Sequence, residues 1–157
     1  MSKSDWISSE LASALDRARE LGRLAEPEFD GLGETQAARH ALQRLAAAGL
    51  TGWAVPETWG GARSGGLVDP GSVSVRALCA LREVLAAHHG MLDVMLVMQG
   101  LGSFPLVLGA NPANTAQCRR RLAAAARGEA VAAFALTEPG AGSSLTEVAT
   151  RATRSAG

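Results

Sequence analysis

The chain has 157 residues, and its 15 Lys+Arg balance 15 Asp+Glu, so no net field recruits nucleic acid or an anionic membrane. Hydrophobic residues make up 47% and aromatics only 4%, with Ala and Leu dominant and no Tyr, which favours helices over a β sandwich. A chain of this length buries one respectable core, and a single domain is the default expectation. Met1 is not followed by the basic and apolar regions of a signal peptide. The most apolar stretch, residues 90–110, is interrupted by Gly, Pro and Asp93, so no membrane span is expected. Cys79 and Cys118 read as reduced thiols of a cytoplasmic protein rather than as a disulfide framework.

Asp5 to Ala25 is expected to form an amphipathic helix, with Ile7, Leu11, Ala14, Leu15, Ala18 and Leu21 on one face, broken by Pro27 and Gly31. A second helix is expected over Glu34 to Ala48, with Ala38, Leu42 and Leu45 inward and Gly49 at the C′ position. The following Gly52-Trp53-Ala54-Val55-Pro56-Glu57-Thr58-Trp59-Gly60-Gly61 reads as a surface loop with two half-buried indoles. Residues 62–66 are a flexible Gly/Ser/Arg segment. Asp69-Pro70 suits an N-cap and first turn, opening a third helix to about His89 with an apolar stripe of Val73, Ala77, Ala80, Leu81, Val84 and Leu85. Gly90 to Gly102 is apolar on nearly all sides, as a central helix packed by neighbours would be. After a break, Phe104 to Gly109 forms a short helical turn, and a last helix runs over Ala116 to Ala126.

Val131 to Leu136 changes to the pattern of a strand, and Val148 to Arg154 alternates as a second strand would. Between them lies the turn Glu138-Pro139-Gly140-Ala141-Gly142-Ser143-Ser144. Gly140 and Gly142 have no side chains, so backbone N–H groups there can approach a ligand closely and adopt positive φ. Thr137, Ser143 and Ser144 add short donors and acceptors suited to a flat heteroaromatic edge or a phosphate oxygen. An ordinary Gly/Ser turn between strands fits the composition equally well.

Other polar and sulfur-bearing groups have plainer explanations. The adjacent His88 and His89 point about 100° apart on a helix and suit a helix-end cap better than a metal pair. Arg119, Arg120, Arg121 and Arg127 suit a solvated face, with CoA or nucleotide phosphates the alternative. Met91, Met95 and Met98 recur at helical spacing, which favours core filling over the lining of an acyl pocket. Asp93 is expected on a helix surface. No Walker loop, complete G-x-G-x-x-G or zinc spacing occurs.

Ala135-Leu136-Thr137-Glu138-Pro139-Gly140-Ala141-Gly142-Ser143 resembles the flavin-contacting signature of the acyl-CoA dehydrogenase family, which reads roughly small-aliphatic-Thr-Glu-Pro-x-Ala-Gly-Ser-Asp. Ser144 stands where Asp is usual, and Glu147 where a small residue is expected. Leu45 to Gly61 is similar to a second family pattern, in which a helix ending in Leu-Gly-Leu-x-Gly precedes an apolar pair and Pro-Glu-x-x-Gly-Gly. Gln117, Leu122, Gly128 and Glu129 also match the family's approach to the flavin strand, without its acidic pair.

The resemblance implies a mainly α fold: a helical N-terminal domain over residues 1–130, then a truncated start of the flavin-binding β domain over 131–157, contributing one or two strands. It implies FAD as cofactor and an acyl-CoA or acyl-carrier thioester as substrate, undergoing α,β-dehydrogenation. The implied cofactor-binding residues are Phe134, Leu136, Thr137, Gly142 and Ser143, with Ser143 also a substrate contact. Leu136 and Thr137 match positions at the isoalloxazine edge, and Gly142 and Ser143 match positions near the pyrophosphate and the acyl-CoA. No catalytic residue and no metal ligand is assigned, because the family's usual base is a Glu in a C-terminal bundle not represented here, and Glu138 belongs to the flavin motif. The chain covers about the first third of a family member and is expected to be inactive alone, and to form homo- or hetero-oligomers. Two alternatives stay open: a non-catalytic helical module that pairs with a separately encoded remainder, and a related flavin oxidase or monooxygenase.

Overall fold

In the computed structural model, residues 7–153 are described; Asp5, at the expected start of the first helix, and Arg154, at the expected end of the second strand, lie outside them. Helix α1 spans Ser9–Phe29, and the side chain of Ser8 caps it by accepting from the Leu11 N–H. Its buried stripe is Leu11, Ala14, Leu15, Ala18, Leu21, Ala25 and Phe29. Pro27, expected to break the helix, lies inside it. The missing N–H forfeits one hydrogen bond in the last turn, while the buried Phe29 ring anchors that turn against His40 and His89, with centroids 5.0 and 4.1 Å away.

Helix α2 spans Glu34–Ala47 and buries Ala37, Ala41, Leu42 and Leu45. Gly49 has φ 66° as expected beyond the helix end. The segment read as a surface loop is instead mostly buried: Thr51–Ala54 and Glu57–Trp59 are short 3-10 turns, and Trp53 is enclosed in the core. Trp59 remains half-buried.

Helix α3 spans Val75–Ala86, starting later than the Asp69-Pro70 pair suggests. Asp69 caps its own turn, its Oδ1 accepting from the Gly71 N–H at 2.8 Å, and Ser74 caps the helix by accepting from the Ala77 N–H at 3.2 Å. Both residues are good caps, and the one next to the buried stripe of Ala77, Leu81 and Leu85 starts the helix.

Helix α4 runs unbroken over Gly90–Leu108, through the expected break and through Pro105. His89 caps it, its Nδ1 accepting from the Met91 N–H at 3.2 Å. Nor is it enclosed on all sides. Leu92, Met95, Leu96, Gln99 and Ser103 are buried, whereas Val94, Leu101, Phe104 and Leu108 are exposed. Its neighbours α2, α3 and α5 cover one face only. Among the described residues α4 is the one helix long and apolar enough to cross a membrane, by length and composition alone. Asp93, near its start, is held by both nitrogens of an Arg82 fork from α3 at 2.6 and 3.0 Å.

Helix α5 spans Thr115–Ala126. The main core joins α1 to α4 around Trp53, and a smaller cluster gathers Val55, Cys118, Leu122, Ala125 and Ala126. The fold is therefore mainly helical. The two expected strands do not form among the described residues: residues 131–136 and 148–153 have no ladder, and the one bridge there joins Glu138 to Ala141. Extended chain becomes sheet only when a neighbouring strand takes up its N–H and C=O groups, and no such neighbour is present among these residues.

Candidate functional site

The run carrying Phe134, Leu136 and Thr137 leaves the helical body at a fixed point. Gln99, fully buried on α4, donates from Nε2 to the carbonyls of Ala125 and Ala130, both at 3.0 Å. Its Oε1 accepts from the Ala132 N–H at 2.6 Å. One turn along the helix, Gly102 lies so close to the run that a Cβ there would collide with the backbone of Ala132 and Ala133. In the sequence, the one signal for Gln99 is a lone amide on an otherwise apolar helix face.

Beyond this point the chain reverses at Pro139-Gly140. The N–H of Glu138 donates to the Ala141 carbonyl at 3.0 Å, and the Ala141 N–H returns a bond to the Glu138 carbonyl at 3.1 Å. Phe134, Leu136 and Thr137 thus stand before the turn, and Gly142 and Ser143 after it. All five are exposed. None of the five makes a hydrogen bond within the described chain, so the Thr137 and Ser143 hydroxyls and the N–H groups of Leu136, Thr137, Gly142 and Ser143 are unpaired there.

Gly140 and Gly142 do not take the positive φ expected of them. A Cβ at either would meet nothing within 4 Å. Gly61 in the other motif is the opposite case: a Cβ there would collide with the Val55 carbonyl. The Pro56–Gly61 corner therefore needs its glycine to close on itself, whereas the 140–142 turn has no such need inside the chain.

Glu138 is occupied. Its two oxygens accept from the Ala149 N–H at 2.9 Å, the Thr150 N–H at 2.8 Å and the Thr150 hydroxyl. The Thr150 hydroxyl first, then the two backbone N–H groups, hold its carboxyl below the usual carboxylate range. It is a strut that ties the turn to residues 149–150, with its oxygens directed away from the role of a free base.

Arg119 and Arg127 have local partners. Arg119 donates to the Thr58 carbonyl at 3.0 Å and lies over the Trp59 ring at 5.2 Å. Arg127 forms a two-bond pair with Glu129 at 2.8 and 2.7 Å. Met95 belongs to the main core cluster, and Met91 packs against that cluster. Among the described residues no cluster of His, Cys, Asp or Glu could hold a metal ion.

Cyclohexane-1-carbonyl-CoA dehydrogenase of Geobacter metallireducens (strain ATCC 53774 / DSM 7210 / GS-15) is 31% identical to this chain over 137 residues. The chain is thus similar to an acyl-CoA dehydrogenase. The match takes in 87% of this chain and 33% of the relative, so the chain spans about a third of that protein's length. No family model matches. The similarity supports a dehydrogenase-like function and accords with the helical fold.

An unpaired set of N–H and hydroxyl groups beside the half-exposed Phe134 and Leu136 is chemically suited to a flat, polar-edged heteroaromatic such as a flavin. Leu136, Thr137, Gly142 and Ser143 would hold it.

Proposed function

We propose that this chain supplies the helical body and one wall of the flavin site of an FAD-dependent dehydrogenase acting on an acyl thioester, carried on CoA or an acyl carrier. The observation that carries the proposal is the pair Gly140 and Gly142, which stand in open space at a backbone with no conformational need for glycine. Without a Cβ at either position, a ligand can come close to the backbone there. Similarity to a dehydrogenase whose name specifies a CoA thioester supports this substrate class.

FAD, when bound, supplies the hydride acceptor for such an oxidation. The residues of this chain bind and orient. Thr137 and the Leu136 N–H offer donors to a ring edge, and the Gly142 N–H with Ser143 offers donors to an anionic tail or to the thioester. The base that removes the α-proton comes from outside this set, since Glu138 is spent on Ala149 and Thr150.

The test is a flavin titration of the full-length protein, followed by flavin fluorescence, with Gly142→Ala and Ser143→Ala alongside. Weakening of about tenfold is expected in Ser143→Ala, since one lost charge-assisted contact is worth about 1.5 kcal/mol or more. A weakening is also expected in Gly142→Ala, because its added Cβ would hold the ligand off the backbone N–H. Wild-type protein that takes up no FAD defeats the proposal.

A second reading is favoured by the open face of α4. Val94, Leu101, Phe104 and Leu108 are all exposed on one helix, beside the exposed Val131 and Phe134. In that reading the chain is a module that covers this face with further protein and has no flavin chemistry of its own. Sedimentation of the flavin-free chain separates the two: a complex that forms and never takes FAD supports the module.

A further inference from the structure

Gln99 uses both ends of its carboxamide on backbone outside its own helix. It ties the end of α5 at Ala125, the link at Ala130 and the run at Ala132 to one point on α4. A buried amide is costly unless every group is paired, and a Leu would fill the space without that cost. The strap at 130–132 accounts for the amide: it needs two donors and one acceptor at once, which neither a carboxylate nor an aliphatic side chain provides. Gly102 adds an independent restraint by letting the backbone of Ala132 and Ala133 lie directly on α4.

We propose that Gln99, with Gly102 beside it, is the positioning residue that sets where the Thr137–Ser143 ledge stands on the helical body. The flavin part of this rests on the function proposed above; the anchoring part does not. Past Ala132 the run has no further hydrogen bond until the Glu138 turn, so whatever fixes Ala132 fixes the approach to Thr137.

The experiment compares wild type with Gln99→Leu, Gln99→Glu and Gly102→Ala in the full-length protein used for the flavin titration above, each checked for helical content by circular dichroism. Backbone 15N relaxation at residues 133–137 reads the anchor. Order parameters there are expected to fall from about 0.8 to below about 0.6 while α1 to α3 keep theirs. FAD affinity is expected to fall about tenfold or more in the same variants. Unchanged order at 133–137, or a loss spread equally over every helix, overturns the anchor. Local loosening with unchanged FAD affinity overturns the positioning role. If wild type takes up no FAD, the flavin reading fails, and relaxation alone decides whether Gln99 anchors the strap. Gln99→Glu keeps an acceptor for Ala132 but faces two carbonyls with no donor, so it separates hydrogen bonding from simple space-filling.

Discussion

Gly61 lies against the carbonyl of Val55 so closely that no Cβ fits between them, while its own N–H donates to the Pro56 carbonyl at 3.0 Å. Gly61→Ala therefore must open the Pro56–Gly61 corner, and a cost of about 3 kcal/mol is expected from backbone displacement of this kind. Gly140→Ala and Gly142→Ala meet open space and should stay within about 0.5 kcal/mol of wild type. Urea denaturation of the three variants checks both halves. Equal destabilisation at all three positions would remove the contrast on which the ligand-facing assignment of the 140–142 turn depends.

The Glu138 strut makes the same turn sensitive to acid. Its carboxyl is held low by the Thr150 hydroxyl and the Ala149 and Thr150 N–H groups. A depressed folded-state value means that the stabilisation is fully present above the ordinary carboxylate range and is lost as pH falls through the folded value. Amide exchange at Ala149 and Thr150, corrected for intrinsic rate, should thus be flat from neutral pH down to that range and accelerate below it. Glu138→Gln should show the acceleration already at neutral pH, because its single oxygen cannot serve three donors. Identical exchange in the variant and wild type would mean that the strut does not hold in solution.

The helical body was legible in the sequence because its signals are local and repeated. The stripe from Leu11 to Leu21 and the α2 stripe ending before Gly49 follow from spacing. Misplaced boundaries have specific causes. Asp69 and Ser74 are both competent caps, and only tertiary burial of Ala77 decides between them. Pro27 and Pro105 sit inside helices whose packing outweighs one lost hydrogen bond. The strands at 131–136 and 148–153 could not be judged from pattern, since a strand exists only with a partner. Motif residues were visible as a string, but their openness and the role of Gln99 depend on contacts across 26 to 33 positions.

Arg82 and Asp93 join α3 to α4 through a two-bond fork with the Asp93 side chain 17% exposed. Partial exposure keeps such a pair modest, so a double-mutant cycle with Arg82→Ala and Asp93→Ala should return a coupling of about 1 kcal/mol. Raising salt should reduce it, since solvent ions reach a pair this close to the surface. A coupling indistinguishable from zero at low salt would show that the fork adds nothing to the packing of Leu81, Leu85 and Leu92.

Thr51 carries a longer-range tie. Its fully buried hydroxyl donates to the Ala126 carbonyl at the end of α5, at 2.7 Å. The last carbonyls of a helix have no partner within it, so this bond satisfies a group that burial would otherwise leave unpaired. Thr51→Val keeps the shape and removes the donor, and it should cost about 1 to 3 kcal/mol through the stranded carbonyl. Thr51→Ser keeps the donor and loses one methyl, for which about 1 kcal/mol is expected. Midpoints in urea, at equal slopes, order the variants. If Val proves no worse than Ser, the hydroxyl is not what holds α5 to the turn at Thr51–Ala54, and packing of the smaller cluster around Leu122 carries that junction instead.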